Sequence, residues 1–149
     1  MIKDDTKVSG TLHVLVRDTT TGQIKYDVTF NNLVVSAGTA FIASRMSGAA
    51  SGVMTYMAVG TGNTAPASGD VTLQTELARV ALSVSGGTPT ANAVLYTATF
   101  PAGTGTGALT EAGIFNASSG GTMLSRTTYA VVNKGASDEM IVNWTVTVG

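Results

Sequence analysis

Every second residue from Met140 to Val148 is apolar: Met140, Val142, Trp144, Val146 and Val148 share one phase, and Asn143, Thr145 and Thr147 fall in the other. A period of two sustained over nine residues is satisfied by a β-strand with one face on a core, because successive side chains leave a strand on opposite faces. The segment therefore predicts a central strand anchored by Trp144. The same period recurs near the start, where Leu12, Val14 and Val16 alternate with Thr11, His13 and Arg17. Ile24, Tyr26, Val28 and Phe30 then alternate with Lys25, Asp27 and Thr29. Asp18-Thr-Thr-Thr-Gly-Gln23 between these runs predicts a turn, and the two runs predict a hairpin.

Further strands are predicted over residues 54–59, 79–85, 93–100, 109–115 and 123–131. Turn signals stand at Gly86-Gly-Thr-Pro89, Ala102-Gly-Thr-Gly-Thr-Gly107 and Asn133-Lys-Gly-Ala-Ser137. One short helix is predicted over residues 36–46, with Ser36 as N-cap and Phe41, Ile42, Arg45 and Met46 at helical spacing. Gly38 and Thr39 lower its intrinsic propensity, so the helix must draw its stability from packing Phe41 and Ile42 on a sheet. The resulting expectation is an all-β chain, a single-domain β-sandwich or jelly roll of about eight strands with one short helix. The domain is assigned to residues 10–149, with core anchors Trp144, Phe30, Tyr96 and Phe100, and residues 1–9 are assigned to an N-terminal arm.

Composition narrows the function classes. Among 149 residues only 11% are charged, the net charge is −1, and the eight Lys and Arg are scattered. Phosphate binding depends on clustered cations that release counterions, so no nucleic-acid partner is expected. No run of eighteen apolar residues predicts a membrane span. The polar start Met1-Ile-Lys-Asp-Asp-Thr-Lys7 lacks the apolar run of a secretory signal, so synthesis in a cytoplasm is expected. With no cysteine and His13 as the single histidine, thiol chemistry and multi-histidine metal sites within one chain are not expected.

Three patterns invite a chemical reading, and each has a structural one. Gly60-Thr-Gly62 and Gly103-Thr-Gly-Thr-Gly107 lack the Gly-Lys-Ser/Thr of a P-loop and read as loops whose glycines take positive φ. The acidic pairs Asp4–Asp5 and Asp138–Glu139 lack the spacing of a calcium loop and read as exposed pairs. Glu76, Arg79, Glu111 and Arg126 are isolated charges beside apolar strands. They read either as solvated edge charges or as Glu–Arg pairs at a strand edge or between subunits. No catalytic, cofactor-binding or metal-binding residue is assigned, no cofactor is expected, and the chain is not expected to be an enzyme.

Five segments carry a resemblance: Asn32-Leu-Val-Val-Ser-Ala-Gly38, Met57-Ala-Val-Gly-Thr-Gly-Asn-Thr-Ala-Pro66, Glu76-Leu-Ala-Arg79, Thr110-Glu-Ala-Gly-Ile-Phe-Asn116 and Met123-Leu-Ser-Arg126. In this arrangement the chain resembles small virion structural proteins of tailed bacteriophages, of the decoration-like and tail-fibre-like kinds. The resemblance implies a β-rich structural protein located on the virion. Because the chain stops just after its last core strand, where a fibre would continue into a shaft, the expectation is a capsid decoration protein that cements capsomers. A tail, baseplate or fibre-attachment protein is the alternative, and a carbohydrate-binding β-sandwich the third reading. The expected partner is the major capsid protein or a tail or baseplate protein. A homo-oligomer, a trimer by preference, is expected to make its assembly contacts through Lys3, Asp4, Asp5 and Lys7 of the arm and through Glu76, Arg79, Glu111 and Arg126.

Overall fold

The computed structural model describes residues 7–48 and 52–149. Among these described residues nine strands and one helix follow in the order β1 (Val8–Asp18), β2 (Ile24–Val34), α1 (Ser36–Ser47), β3 (Tyr56–Gly60), β4 (Glu76–Ala81), β5 (Thr88–Thr90), β6 (Ala93–Phe100), β7 (Gly107–Phe115), β8 (Met123–Lys134) and β9 (Asp138–Val148). All pairings are antiparallel, in the order β4-β3-β7-β8-β2-β1-β9-β6-β5.

The sheet curls because β2 serves both halves. Its residues from Ile24 to Asn32 pair with β1, and only Leu33 and Val34 continue onto Arg126 and Ser125 of β8. Two layers result, β2-β1-β9-β6-β5 and β4-β3-β7-β8, with their inner faces opposed. Leu12, Val14 and Val16 from β1, Met140, Val142, Trp144 and Val146 from β9, and Tyr96, Ala98 and Phe100 from β6 form one side of the core. Met57, Val59, Leu109, Ala112, Ile114, Leu124 and Val132 meet them from the other layer. The alternation that marks β9 in the sequence is thus its burial pattern, and β9 lies between β1 and β6 with Trp144 fully buried. Phe30, assigned as a core anchor, packs against this core. It sits on β2 near the bend, is only half-buried, and stacks on Tyr129 with ring centroids 4.9 Å apart.

Helix α1 packs Phe41 and Ile42 onto this core. Its N-cap is Val35, with no side-chain cap, and Ser36 is already the first helical residue. Gly38 explains itself by contact: a Cβ there would stand 1.9 Å from the Leu124 carbonyl oxygen, so glycine lets the helix lie against the backbone of β8.

Three of the boundaries that differ from expectation change how the chain is laid out. The turn at Gly86 and Gly87 ends sooner, and Thr88-Pro89-Thr90 forms edge strand β5 on β6, a position where proline's missing N–H costs no ladder bond. Strand β4 lies at 76–81 instead of 79–85: Leu82 N–H still donates to the Thr55 carbonyl next to β3, but Ser83 N–H donates to the Thr97 carbonyl of β6, which takes the chain out of the β3–β4 pairing. Strand β1 begins at Val8, opposite Val148, so Val8 and Ser9 belong to the sheet. Residues 1–6, with Lys3, Asp4 and Asp5, lie outside the described residues.

Truncating a buried tryptophan removes a large apolar contact and leaves a cavity, so Trp144→Ala is expected to destabilise the fold by about 3–5 kcal/mol. Urea unfolding followed by circular dichroism checks this, and an unchanged midpoint would contradict the burial of Trp144.

Candidate functional site

The two stretches richest in distinctive sequence, around residues 56–70 and 109–126, meet in space. Strands β3, β7 and β8 carry Ala58, Phe115 and Met123 on the outer face of their layer, away from the main core. There these side chains form a second, smaller cluster with Val35 and Leu73. The cover is the β3–β4 loop, residues 61–75, which delivers Leu73 onto it. Gly113 makes the seat, since a Cβ there would come within 2.9 Å of Leu73 and 3.1 Å of Phe115.

A single carboxylate holds the loop down. Glu111, fully buried on β7, accepts the backbone N–H of Gly62 at 3.0 Å and of Thr75 at 2.6 Å on Oε1. Its Oε2 accepts the N–H of Gln74 at 2.9 Å, together with Arg126 Nε at 3.1 Å and Nη2 at 2.9 Å. Arg126 lies opposite Gly113 in the β7–β8 ladder, which sets its side chain diagonally across from Glu111. The guanidinium also donates Nη1 to Asp70 Oδ2 at 2.9 Å and Nη2 to the Thr64 carbonyl at 3.0 Å. Asp70 in turn accepts the Ala67 N–H at 2.9 Å, and Thr110 Oγ1 donates to the Gly62 carbonyl at 2.8 Å.

Gly60 and Gly62 were expected to be positive-φ glycines. They are not: a Cβ on either would stand 2.6 Å from Glu111 Oε1, so these positions are glycine to let the backbone approach the carboxylate. Gly103, Gly105 and Gly107 do have positive φ.

Burial opposes ionisation of Glu111. The amides of Thr75 and Gln74, the Arg126 guanidinium and the Gly62 amide outweigh it, and hold the carboxyl below its ordinary range. Burial, with the nearby Glu111 charge, pushes the Tyr129 phenol up, while its hydroxyl donates to the Glu111 carbonyl at 3.2 Å. Both carboxylate oxygens of Glu111 are committed to backbone and guanidinium donors, an arrangement that fixes a loop.

Arg79 fastens the neighbouring turn. Its guanidinium stacks 3.8 Å from the Phe115 ring centroid, donates Nη1 to the carbonyls of Ala117 and Gly120, and pairs through Nη2 with Glu76 at 2.7 Å. Between this turn and the helix start, where Ser36 N–H donates to the Ser68 carbonyl, the loop is tied at both sides. An open cleft of about 320 Å³ lies on it, with Thr64, Asp70, Val71, Thr72 and Gln74 as walls and Arg126 at its base.

Of the expected contact residues, Glu111 and Arg126 are buried partners within one chain. Glu76 and Arg79 pair with each other at the start of β4. Lys7 is exposed beside the first strand, where its carbonyl accepts the Gly149 N–H at 2.6 Å. Asp138, expected to be exposed, is buried and accepts Lys25 Nζ at 2.9 Å and the Gly135 N–H at 2.7 Å. The Lys25 bond is the main cause that holds its carboxyl below the ordinary range. Glu139 pairs with Arg17.

Buried Lys134, which the sequence did not single out, donates to the carbonyls of Pro101 and Asp138. His13 pairs with Asp27 at 2.6 Å on the outer face of the other layer. Among the described residues no three His, Cys, Asp or Glu are grouped to hold a metal. Trp144, Tyr96 and Phe100 are buried and present no platform for a sugar ring.

Replacing Glu111 by Gln removes the fully buried anion of Arg126 and leaves it only the partly exposed Asp70 carboxylate. We expect Glu111→Gln to lower stability by about 3 kcal/mol, in the range for breaking a buried pair. Amide hydrogen exchange at Gly62, Gln74 and Thr75 should accelerate more than in β9; uniform acceleration would contradict a local clamp.

The same carboxylate sets a pH dependence. A depressed pKa in the folded state makes the Glu111 contribution complete above the ordinary carboxylate pKa of 4.5, and lost as pH falls through the lower folded value. Urea titrations below pH 4.5 should therefore show a smaller acid loss in Glu111→Gln than in the unaltered protein.

No family model, curated protein or solved structure matches the chain.

Proposed function

We propose that the protein is a structural component of a tailed-bacteriophage virion, a decoration protein that attaches to the outside of the capsid shell and bridges capsomers. The supporting observation is that the blocks carrying the resemblance converge on one shaped surface, whose buried acid serves to hold backbone. Glu111 gives its acceptor positions to three amides of the 61–75 loop and to Arg126. Such a loop is pre-ordered, and binding through it avoids most of the entropy cost of ordering a loop on contact. Its outward side carries Asn63, Thr64, Ala65, Thr72 and Val71, the last 61% exposed. This mixture of small, polar and apolar groups suits a protein surface better than a polyanion. The expected partner is the major capsid protein, met through this loop.

The test is reconstitution. Purified protein is added to particles lacking it, and the added density is located by cryo-electron microscopy. Density over the capsid lattice is the expected outcome, whereas density confined to the tail or baseplate replaces the capsid reading with an attachment role there. No density on any particle overturns the proposal. A Val71→Asp variant is expected to fold normally by circular dichroism and to lose at least tenfold in occupancy. Full occupancy would remove the loop from the contact.

A further inference from the structure

Among the described residues, four carry buried side-chain nitrogen or oxygen atoms with no hydrogen-bond partner: Asn32, Ser125, Asp138 and Trp144. Asp138 is engaged through its other oxygen by Lys25 and the Gly135 amide. The remaining three stand on the inner face around the bend of β2. Asn32 shares the phase of Phe30 and Val34, which pack on the main core, and Trp144 belongs to that core. Ser125 lies opposite both Val34 and the core residue Ile114, so it faces the same way.

The strand register brings the three together. Gly10 lies opposite Asn32 on one side and Val146 on the other, and Leu12, two residues on, lies opposite Trp144. A Cβ on Gly10 would stand 1.8 Å from Asn32 Oδ1 and 2.6 Å from its Cγ, so the amide lies over the bare backbone of β1. Trp144, diagonal to Gly10 on β9, is then within the reach of an aromatic side chain. Ser125, paired with Val34, is the diagonal neighbour of Asn32 on β8. The indole N–H only donates, the amide both donates and accepts, and the hydroxyl can take either part. Buried polar groups are satisfied by protein or by ordered water, and an internal water needs two to four polar partners.

We propose that these side chains form an internal hydration site that holds two waters at the joint between the layers. One water accepts from Trp144 Nε1 and donates to Asn32 Oδ1. The other accepts from Asn32 Nδ2 and donates to Ser125 Oγ. No direct bond joins the three side chains, and water, which both donates and accepts, serves all four atoms at once. The place is specific. Strand β2 is shared by both layers, and Asn32 is the last of its residues paired with β1 before Leu33 and Val34 pass to β8. The site is independent of the virion assignment, since none of its residues belongs to the 61–75 loop or lines the cleft on it.

A crystal structure at atomic resolution is expected to show two ordered waters about 2.7–3.2 Å from these atoms. In solution, water-selective NOE spectra of the unaltered protein should show cross-peaks to the Trp144 indole proton and to the Asn32 side-chain amide protons. Asn32→Leu, which keeps the size of the side chain and removes the amide, should weaken the indole peak at least threefold with the circular dichroism unchanged. Ser125→Ala should weaken the Asn32 peak at least threefold and leave the indole peak as it was. A dry site, or a direct bond between Asn32 and Trp144, overturns the proposal on the unaltered protein alone. An indole peak that survives Asn32→Leu overturns the first water, and so does one that Ser125→Ala removes, since exchange with the serine hydroxyl would then be its source. An Asn32 peak untouched by Ser125→Ala overturns the second.

Discussion

The contact between the Glu111 carboxylate and three backbone amides organises the outer side of the β3-β7-β8 layer. An ionised carboxylate taken out of water is costly unless its lone pairs are met, and here five donors meet them. Because those donors come from both ends of the 61–75 loop and from β8, satisfying one charge closes the loop. Closure seats Leu73 on Gly113 and covers Phe115 and Met123. It also brings Thr75 to its place one residue before β4 begins, so the position of the edge strand follows from the same bond. Arg79 then leans on Phe115 and fixes the next turn.

Periodicity made the main core readable. Strands β1, β2, β6 and β9 bury alternate residues, and their positions follow directly from Leu12-Val14-Val16, the run from Ile24 to Phe30, and Met140 to Val148. The helix was legible from Phe41 and Ile42. Its cap was not, because the residue before Ser36 is held by tertiary packing of Val35 and lacks a capping side chain. The candidate site was harder for a different reason. A carboxylate that gathers amides 36 to 49 positions earlier in the chain leaves no spacing rule behind, so Asp70, Gln74 and Thr75 look like ordinary loop residues. One signal was present: Glu111 is a lone charge within Leu109-Thr-Glu-Ala-Gly-Ile-Phe115, a stretch otherwise suited to burial on both faces. Glycines within the site itself, Gly60, Gly62 and Gly113, were the complementary signal, since each leaves room for a contact of that site.

The two cores also differ in how they are built. The inner one joins two layers through side chains alternating along long strands, whereas the outer one is a few apolar residues under a loop whose hold is mainly polar. Conservative apolar exchanges should be absorbed in the first, where neighbouring side chains can repack. The second has little apolar area to redistribute and depends on hydrogen-bond geometry.

The ladder between β1 and β9 runs unbroken from Val8–Val148 to Asp18–Asp138, joining the first described strand to the last. During translation β1 and β2 emerge more than a hundred residues before the strand that covers the other edge of β1. The nascent chain thus carries Leu12, Val14 and Val16 without their β9 neighbours until that strand clears the ribosome. At elongation speeds of about 5–20 residues per second, this leaves an apolar hairpin surface uncovered for several seconds. Completion of the layer is consequently a post-emergence event, and the interval before it is when the young polypeptide is most open to capture by chaperones or to mispairing with other nascent copies.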